Sequence, residues 1–269
     1  MVADVIAALQ DPDRPPLPGR IALVVAHPDD EAIGFGATFA RAPGLLVVHV
    51  TDGAPADGRD AQRLGFRTSA DYAAARAAEL SEALDMAGVM VSQRVSLGIP
   101  DQEAADHLVR IARRLADLFR VNGTRTVFTH AYEGGHPDHD AVAFAVSAAC
   151  DLLADHAPDI VEMPFYRLDA DHLFVSQEFP PGEDPGVAVP VDGEAMAVKQ
   201  AMFAVHATQA AVLDGFDPAV ERFRPAPVHD FTTLPNGGLL FYPRVGASLS
   251  GEDWLARVAD ARAALARTT

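Results

Sequence analysis

The chain has one cysteine, one tryptophan and one lysine in 269 residues. A single cysteine excludes an internal disulfide. Cys150 lies in an Ala/Val/Leu-rich stretch, where a small core residue is expected and a nucleophile is not. Positive charge is scarce: 21 Lys and Arg stand against 38 Asp and Glu, for a net charge of −17. Such a surface repels phosphate backbones, so nucleic acid is not the expected partner. Anionic membrane faces are disfavoured on the same ground. No apolar run approaches the roughly 18 residues of a spanning helix. The opening Met1-Val2-Ala3-Asp4-Val5 lacks the basic start and apolar centre of a secretory signal. A cytoplasmic location without a membrane span is therefore expected. Oligomeric state is not legible.

What is present reads as a globular α/β chain. Hydrophobic residues make up 49% and charged residues 22%, enough to build a sizeable core. Residues 1–20 are expected to form an irregular N-terminal arm, proline-rich over 11–20. Strand signals follow at 21–26, 45–51, 94–98 and 126–130, alternating with helix signals near 31–41, 69–87, 101–121 and 139–155. In the stretch 101–121, Leu108, Ile111, Leu115 and Leu118 repeat at helical spacing, with Arg113, Arg114 and Arg120 off the stripe. This alternation predicts a Rossmann-like, doubly wound, mostly parallel sheet. Beyond about residue 158 the pattern changes. Strands are expected at 160–166 and 172–175, a loop at 180–186, a helix at 193–212 and a last helix from Trp254. We read 1–269 as a single domain whose elaborated C-terminal third, about 158–269, shapes a substrate pocket.

Two polar clusters carry the chemistry. Ala26-His27-Pro28-Asp29-Asp30-Glu31 follows the apolar run Ile21–Val25, and His136-Pro137-Asp138-His139 follows Thr126–Thr129. Open α/β sheets place their sites beyond the carboxyl ends of strands. His27 and Asp30, like His136 and His139, are three residues apart and project to one side of a turn. One histidine and one carboxylate from the first cluster, with one histidine from the second, make three metal ligands and leave a fourth position for water. Two imidazoles and one carboxylate leave the site about one positive charge, which favours ionising that water. Asp29 is then the spare carboxylate: of two adjacent aspartates, one ligates and the other serves as general base. A protonated His136, held by Asp138, is expected to steady the oxyanion and protonate the leaving amine. Either cluster alone reads as a polar loop with a helix cap. Two complementary clusters after two strands read as a hydrolase metal site. Gly34-Phe35-Gly36 lacks the rest of a dinucleotide fingerprint, so its glycines are expected to let a helix pack closely on the sheet.

At these residues the sequence resembles the PIG-L/LmbE-like de-N-acetylases, which include the deacetylases of N-acetylglucosaminyl-phosphatidylinositol and of mycothiol and bacillithiol biosynthesis. The family signatures Ala-His-Pro-Asp-Asp-Glu and His-Pro-Asp-His are matched at Ala26–Glu31 and His136–His139. A third family motif is matched in part at Lys199–Gln209, with Thr208 in place of serine. The resemblance spans about residues 20 to 210. It implies His27, Asp30 and His139 as metal ligands, Asp29 as base, and His136 as the electrophilic or acid residue oriented by Asp138. Zn²⁺ is the implied ion, and Fe²⁺ also suits the donor set. Arg76, three residues before Glu79, and His206 are implied substrate-binding residues. The plainer readings are a solvated helix charge for Arg76 and a packed core residue for His206. Mycothiol-type members carry a tyrosine where this chain has Gly134, leaving Tyr132 and Tyr166 as the nearby aromatics.

The expected activity is removal of an acetyl group from an N-acetylglucosaminyl-type conjugate, a small-molecule substrate. The rivals are an amidase acting on a non-sugar N-acyl compound and a non-catalytic binding module. The intact Asp29 argues against the second rival.

Overall fold

Ile21–Val25 is apolar at every position because both faces of the strand are covered, as parallel sheets require. In the computed structural model, which describes residues 2–11 and 13–267, all five residues are buried. Ala22 and Val24 enter the core on one side, and Ile21, Leu23 and Val25 enter the core on the other. That division is the two-residue alternation of a strand.

The elements in chain order are α1 (Val2–Gln10), β1 (Ile21–Val25), α2 (Asp30–Phe35), β2 (Leu46–Pro55), α3 (Arg59–Arg63), α4 (Ser69–Met86), β3 (Arg94–Asp101), α5 (Leu108–Asn122), β4 (Thr126–His130), α6 (Pro137–Leu153), β5 (Asp159–Met163), β6 (Tyr166–Leu168), β7 (Phe174–Ser176), β8 (Val187–Pro190), α7 (Gly193–Val205), α8 (Ala210–Leu213), β9 (Val220–Pro225) and α9 (Gly251–Ala266). Seven strands form one sheet in the order β3-β2-β1-β4-β5-β9-β8, and β6-β7 is a separate hairpin. The first five strands are parallel, and β9 and β8 are antiparallel additions. Chain order reverses between β1 and β4, the switch point at which open α/β sheets bind ligands. The two polar clusters follow these two strands. Among the described residues no helix is long and apolar enough to cross a membrane.

Several boundaries depart from expectation for identifiable reasons. The N-terminal arm is not irregular throughout: α1 forms because Val2, Val5, Ile6 and Leu9 recur at helical spacing, and Val5 and Leu9 bury against the β1 side of the core. The helix expected at 31–41 stops at Phe35, where Gly34 and Gly36 weaken helix propensity, and a 3₁₀ turn follows at Phe39–Arg41. A Cβ on Gly34 would sit 3.0 Å from Met163 Sδ and from Phe165 Cζ, so close helix-to-sheet packing does require that glycine. The helix expected from 101 begins at Leu108, because β3 continues to Asp101 through Pro100 and the chain reverses at Gln102, which has a positive φ of 71°. Its predicted stripe is correct: Leu108, Ile111 and Leu115 are buried, while Arg113, Arg114 and Arg120 are exposed. Pro164 divides the expected strand 160–166 into β5 and β6. The helix expected at 193–212 breaks after Val205.

The sequence reading missed β8 and β9. In β9, Glu221 and Arg224 are charged yet buried, and each is satisfied by a partner. Glu221 is part of a knot around the sole lysine. Lys199 Nζ donates to Ile33 O (2.8 Å) and Glu221 Oε1 (2.9 Å), and Glu221 accepts from Ala37 N and Thr38 Oγ1 (2.7 Å each). This fully buried group ties the end of α2 to α7 and β9.

Two outcomes check this description. Leu9→Ala should lower unfolding free energy by about 2–3 kcal/mol in urea titration, the cost of a core truncation; a loss near zero would mean that α1 does not dock. Burial pushes the Cys150 thiol up to about 12, which suppresses the thiolate. Iodoacetamide should therefore label Cys150 in urea and leave it unlabelled in the native protein.

Candidate active site

The first cluster leaves β1 in a turn stitched by its own side chains. His27 N donates to Asp30 Oδ2 (2.7 Å), and Asp29 N donates to Glu31 Oε2 (2.9 Å). Asp29, which caps α2, has φ 130°, ψ −29°, an unusual conformation for a residue with a Cβ. Glu31 is fully buried and is met on its other sides by His49 Nε2 (3.0 Å) and His206 Nε2 (2.9 Å). The second cluster opens α6: His136 is the N-cap, its Nδ1 accepting from Asp138 N (3.1 Å), with Pro137 next in the helix. The Asp140 carboxylate accepts from Glu133 N, Gly134 N and Tyr242 Oη, which fixes the loop before the cap.

Across the switch point the clusters converge. His27 Nδ1 lies 3.3 Å from Asp30 Oδ2 and 3.3 Å from His139 Nε2, and His139 Nε2 lies 3.4 Å from Asp30 Oδ1. A tetrahedral zinc site with bonds of about 2.0–2.1 Å has ligand-to-ligand edges of about 3.3–3.4 Å. The two Asp30 contacts are made by different carboxylate oxygens, Oδ2 toward His27 and Oδ1 toward His139, so the three residues form a buried donor group able to hold a metal ion without closing a triangle on three atoms. A second donor group, His27, Asp101, His136 and Asp138, is equally buried. There the Asp138 oxygens are already taken by Gln102 N (2.6 Å) and Ala104 N (3.0 Å). Its carboxylates serve instead to hold His27: Nε2 lies 3.0 Å from Asp101 Oδ1 and 3.2 Å from Asp138 Oδ2. Backing one ring nitrogen with carboxylates frees the other for a metal.

Electrostatics separates the two adjacent aspartates. Burial pushes Asp29 up to about 7, although the Arg76 guanidinium opposes the shift. Burial would also raise Asp30, but His139 and His130 hold it well below the usual carboxylate range. Asp30 is thus held as the anion among the histidines, and Asp29 takes up a proton more readily than an ordinary aspartate. Burial, and next the proximity of His27, drive His136 well below the usual imidazole range. Its Nδ1 accepts a backbone N–H, so its proton sits on Nε2.

A cavity of about 600 Å³ is lined by His27, Asp29, Asp30, Arg76, His136 and His139, six of the eight residues expected in the site. Asp138 and His206 are not among its walls. Three expected roles are corrected. Asp138 does not orient His136 through its carboxylate, which is 4.0 Å from His136 Nδ1 and faces His27. His136 is a neutral donor and not an imidazolium. His206 is fully buried, bonded to the Glu31 carboxylate, and neither residue lines the cavity, so it braces Glu31 instead of facing the cavity.

Arg76 is neither a solvated charge nor a free substrate contact. Buried, it donates to Gly53 O (2.5 Å), Pro28 O (2.6 Å) and Asp29 Oδ2 (3.2 Å). A Cβ on Gly53 would lie 2.4 Å from the guanidinium carbon, so the glycine makes room for it. Tyr132 is spent on Thr233 O and Trp254 Nε1, whereas Tyr166 lines the cavity with its ring 5.5 Å from that of His139.

Sequence reading missed Asp101 and the bracing role of Glu31. Asp101 sits at the carboxyl end of β3, the position where an α/β sheet displays functional residues, but it was absorbed into the expected helix from 101. A second cavity of about 640 Å³, beside α6 and β5, contributes no residue to either donor group.

Zinc titration of metal-stripped protein should show one site per chain by calorimetry. His139→Ala and Asp30→Ala should abolish it, and Asp29→Asn should keep it. Asp101→Asn should weaken it about 10- to 100-fold by loosening His27. Loss of metal in Asp29→Asn would exchange the roles of Asp29 and Asp30.

Residues 22–150 match the family model PIG-L, described as GlcNAc-PI de-N-acetylase. The 1D-myo-inositol 2-acetamido-2-deoxy-alpha-D-glucopyranoside deacetylase of Nakamurella multipartita is 29% identical over 278 residues, covering 81% of this chain and 94% of that protein. The enzyme of the same name from Streptomyces griseus is 31% identical over 243 residues, covering 72% and 75%. Among solved structures, the A40926 pseudoaglycone deacetylase is 25% identical with a TM-score of 0.56, covering 73% of this chain and 84% of that one. The N,N'-diacetylchitobiose deacetylase of Pyrococcus horikoshii shares the fold at 19% identity and a TM-score of 0.53, covering 77% and 84%. The chain belongs to the PIG-L family of de-N-acetylases.

Proposed function

We propose that this chain is a zinc-dependent hydrolase that removes the acetyl group from an N-acetylglucosaminyl conjugate, releasing acetate and a free amine. The observation that carries the reading is the buried donor group of His27, Asp30 and His139, whose nearest donor atoms lie 3.3–3.4 Å apart and which lines the same cavity as Asp29. The relatives that act on a 2-acetamido sugar support a sugar substrate. When bound, zinc supplies Lewis acidity that polarises the amide carbonyl and acidifies water; Fe²⁺ suits the same His₂Asp donors.

The residues then divide the work. Asp29, aimed by Arg76, accepts a proton from the attacking water, whose oxygen joins the carbonyl carbon. His136 donates its Nε2–H to the oxygen that gains negative charge as that carbon becomes tetrahedral. When the C–N bond breaks, the proton on Asp29 passes to the departing nitrogen, so the water's oxygen ends in acetate and its proton on the amine. Asp101 and Asp138 act through His27, and Glu31 acts through the Asp29 backbone. In this reading 1–269 is one domain, and residues beyond 158 supply the outer pocket wall.

Zinc-loaded protein should release primary amine from a panel of N-acetylglucosaminides. Asp29→Asn should lower kcat by about 10²- to 10⁴-fold, as expected for loss of a general base. No release from any sugar, in protein holding one metal, would move the reading to a non-sugar amide.

A further inference from the structure

Beyond the histidines the cavity changes character. The Tyr166 ring, 5.5 Å from His139, is the first of four linked aromatics. Its centroid lies 5.7 Å from Phe174, 6.1 Å from Phe216 and 5.5 Å from Phe241, and Phe174 and Phe241 are 5.6 Å apart. All four line the catalytic cavity. They come from three separate segments: the β6-β7 hairpin, the turn after α8, and the loop before α9. A core would bury such a cluster. Here Phe174 is 44% exposed, and Val212, on the same wall, is 48% exposed. Leu173, next to Phe174, is 62% exposed. Apolar side chains gathered at the mouth of a catalytic cavity mark a binding surface. The cluster is also braced: Arg244 lies over the Phe241 ring at 5.5 Å and donates to His172 O (3.0 Å), which links the hairpin to the loop.

Arg244 is the charged cavity residue over this wall, against Phe241. Asp29, Asp101, Gln102 and Arg76 come from the β1, β2 and β3 side, where the acetamido group must sit to react. On the aromatic side the polar side-chain groups are the Tyr166 hydroxyl and the Arg244 guanidinium, and the guanidinium already donates to His172 O. A polyol leaving this site would lose water there and regain few hydrogen bonds.

We propose that the aromatic wall receives an apolar aglycone, alkyl or aryl, carried by the N-acetylated sugar, and that Phe174 and Phe241 set this preference. The inference rests on the deacetylase reading for its sugar half and, for its apolar half, on the exposed Phe174 and Val212 beside the half-buried Tyr166 and Phe241. Continuity of the wall with the catalytic cavity makes the aglycone its occupant.

The test uses the zinc-loaded full chain with methyl, hexyl, decyl, naphthyl and inosityl N-acetylglucosaminides. Amine release and calorimetric binding are both measured. Each methylene that reaches the wall should raise kcat/KM by up to about fourfold. The decyl-to-methyl ratio should fall at least about tenfold in Phe174→Ala and Phe241→Ala, with Phe174→Leu keeping most of it. A gain confined to naphthyl would identify an aryl aglycone, and a graded alkyl series would identify an acyl-like chain. Release that is equal for methyl and decyl, or highest for the inosityl compound, overturns the inference and leaves the deacetylase reading intact. No release from any compound, with binding that still tightens along the alkyl series, overturns the deacetylase reading and keeps the apolar wall. No release together with flat binding overturns both.

Discussion

His27 is gripped from behind by two carboxylates, and the geometry of the pocket follows from that grip. With Asp101 and Asp138 on Nε2, the imidazole presents Nδ1 to Asp30 and His139. The carboxylates come from different places, one at the end of β3 and one in the first turn of α6. A shift of either element would turn the ring. His139 has no such support, because its Nδ1 is buried without a hydrogen-bond partner among the described residues. It is located by packing, stacked on His130 at 4.0 Å. One histidine is thus set by charge and the other by shape. The parallel pairing of β1 with β4 sets the distance between them.

Asp29 shows the opposite design, in which strain is accepted and then opposed. Its backbone, at φ 130°, is held by the Glu31 carboxylate, and its side chain by a guanidinium that also bonds two carbonyls. Glu31 in turn is fixed by histidines from β2 and from the end of α7. The motif is therefore more than a string of ligands. Its last residue secures the conformation of its fourth.

Much of this was legible from residues 21–31 and 126–139, because ligand types, spacing and strand context lie close together in the sequence. The doubly wound, mostly parallel character of the sheet followed from simple alternation. What stayed hidden depends on contacts between distant segments. Asp101 carries no local signal of its role, and Arg76 on its helix is indistinguishable from a surface charge until Gly53 and Asp29 are seen beside it. His206 has an apolar neighbourhood that suggests a packed residue, which it is, but not that its partner is Glu31. The strand β9 contains buried charges that are acceptable in a sheet only because Lys199, Glu162 and their neighbours neutralise them, and β8 is only four residues long. The helix α1 was obscured by the prolines that follow it.

The lysine knot has a practical side. Lys199 is the only side-chain amine in the chain, and it has no solvent exposure. Reagents that seek primary amines therefore meet a folded protein with no lysine to modify: ester-activated dyes, aldehyde surfaces and bifunctional crosslinkers find at most the chain terminus. Fluorogenic detection of a small amine in the presence of this protein has an unusually low background. Conversely, the first appearance of lysine reactivity during heating would report the parting of α2 from α7 and β9, so one ε-amino group serves as a built-in probe of that seam.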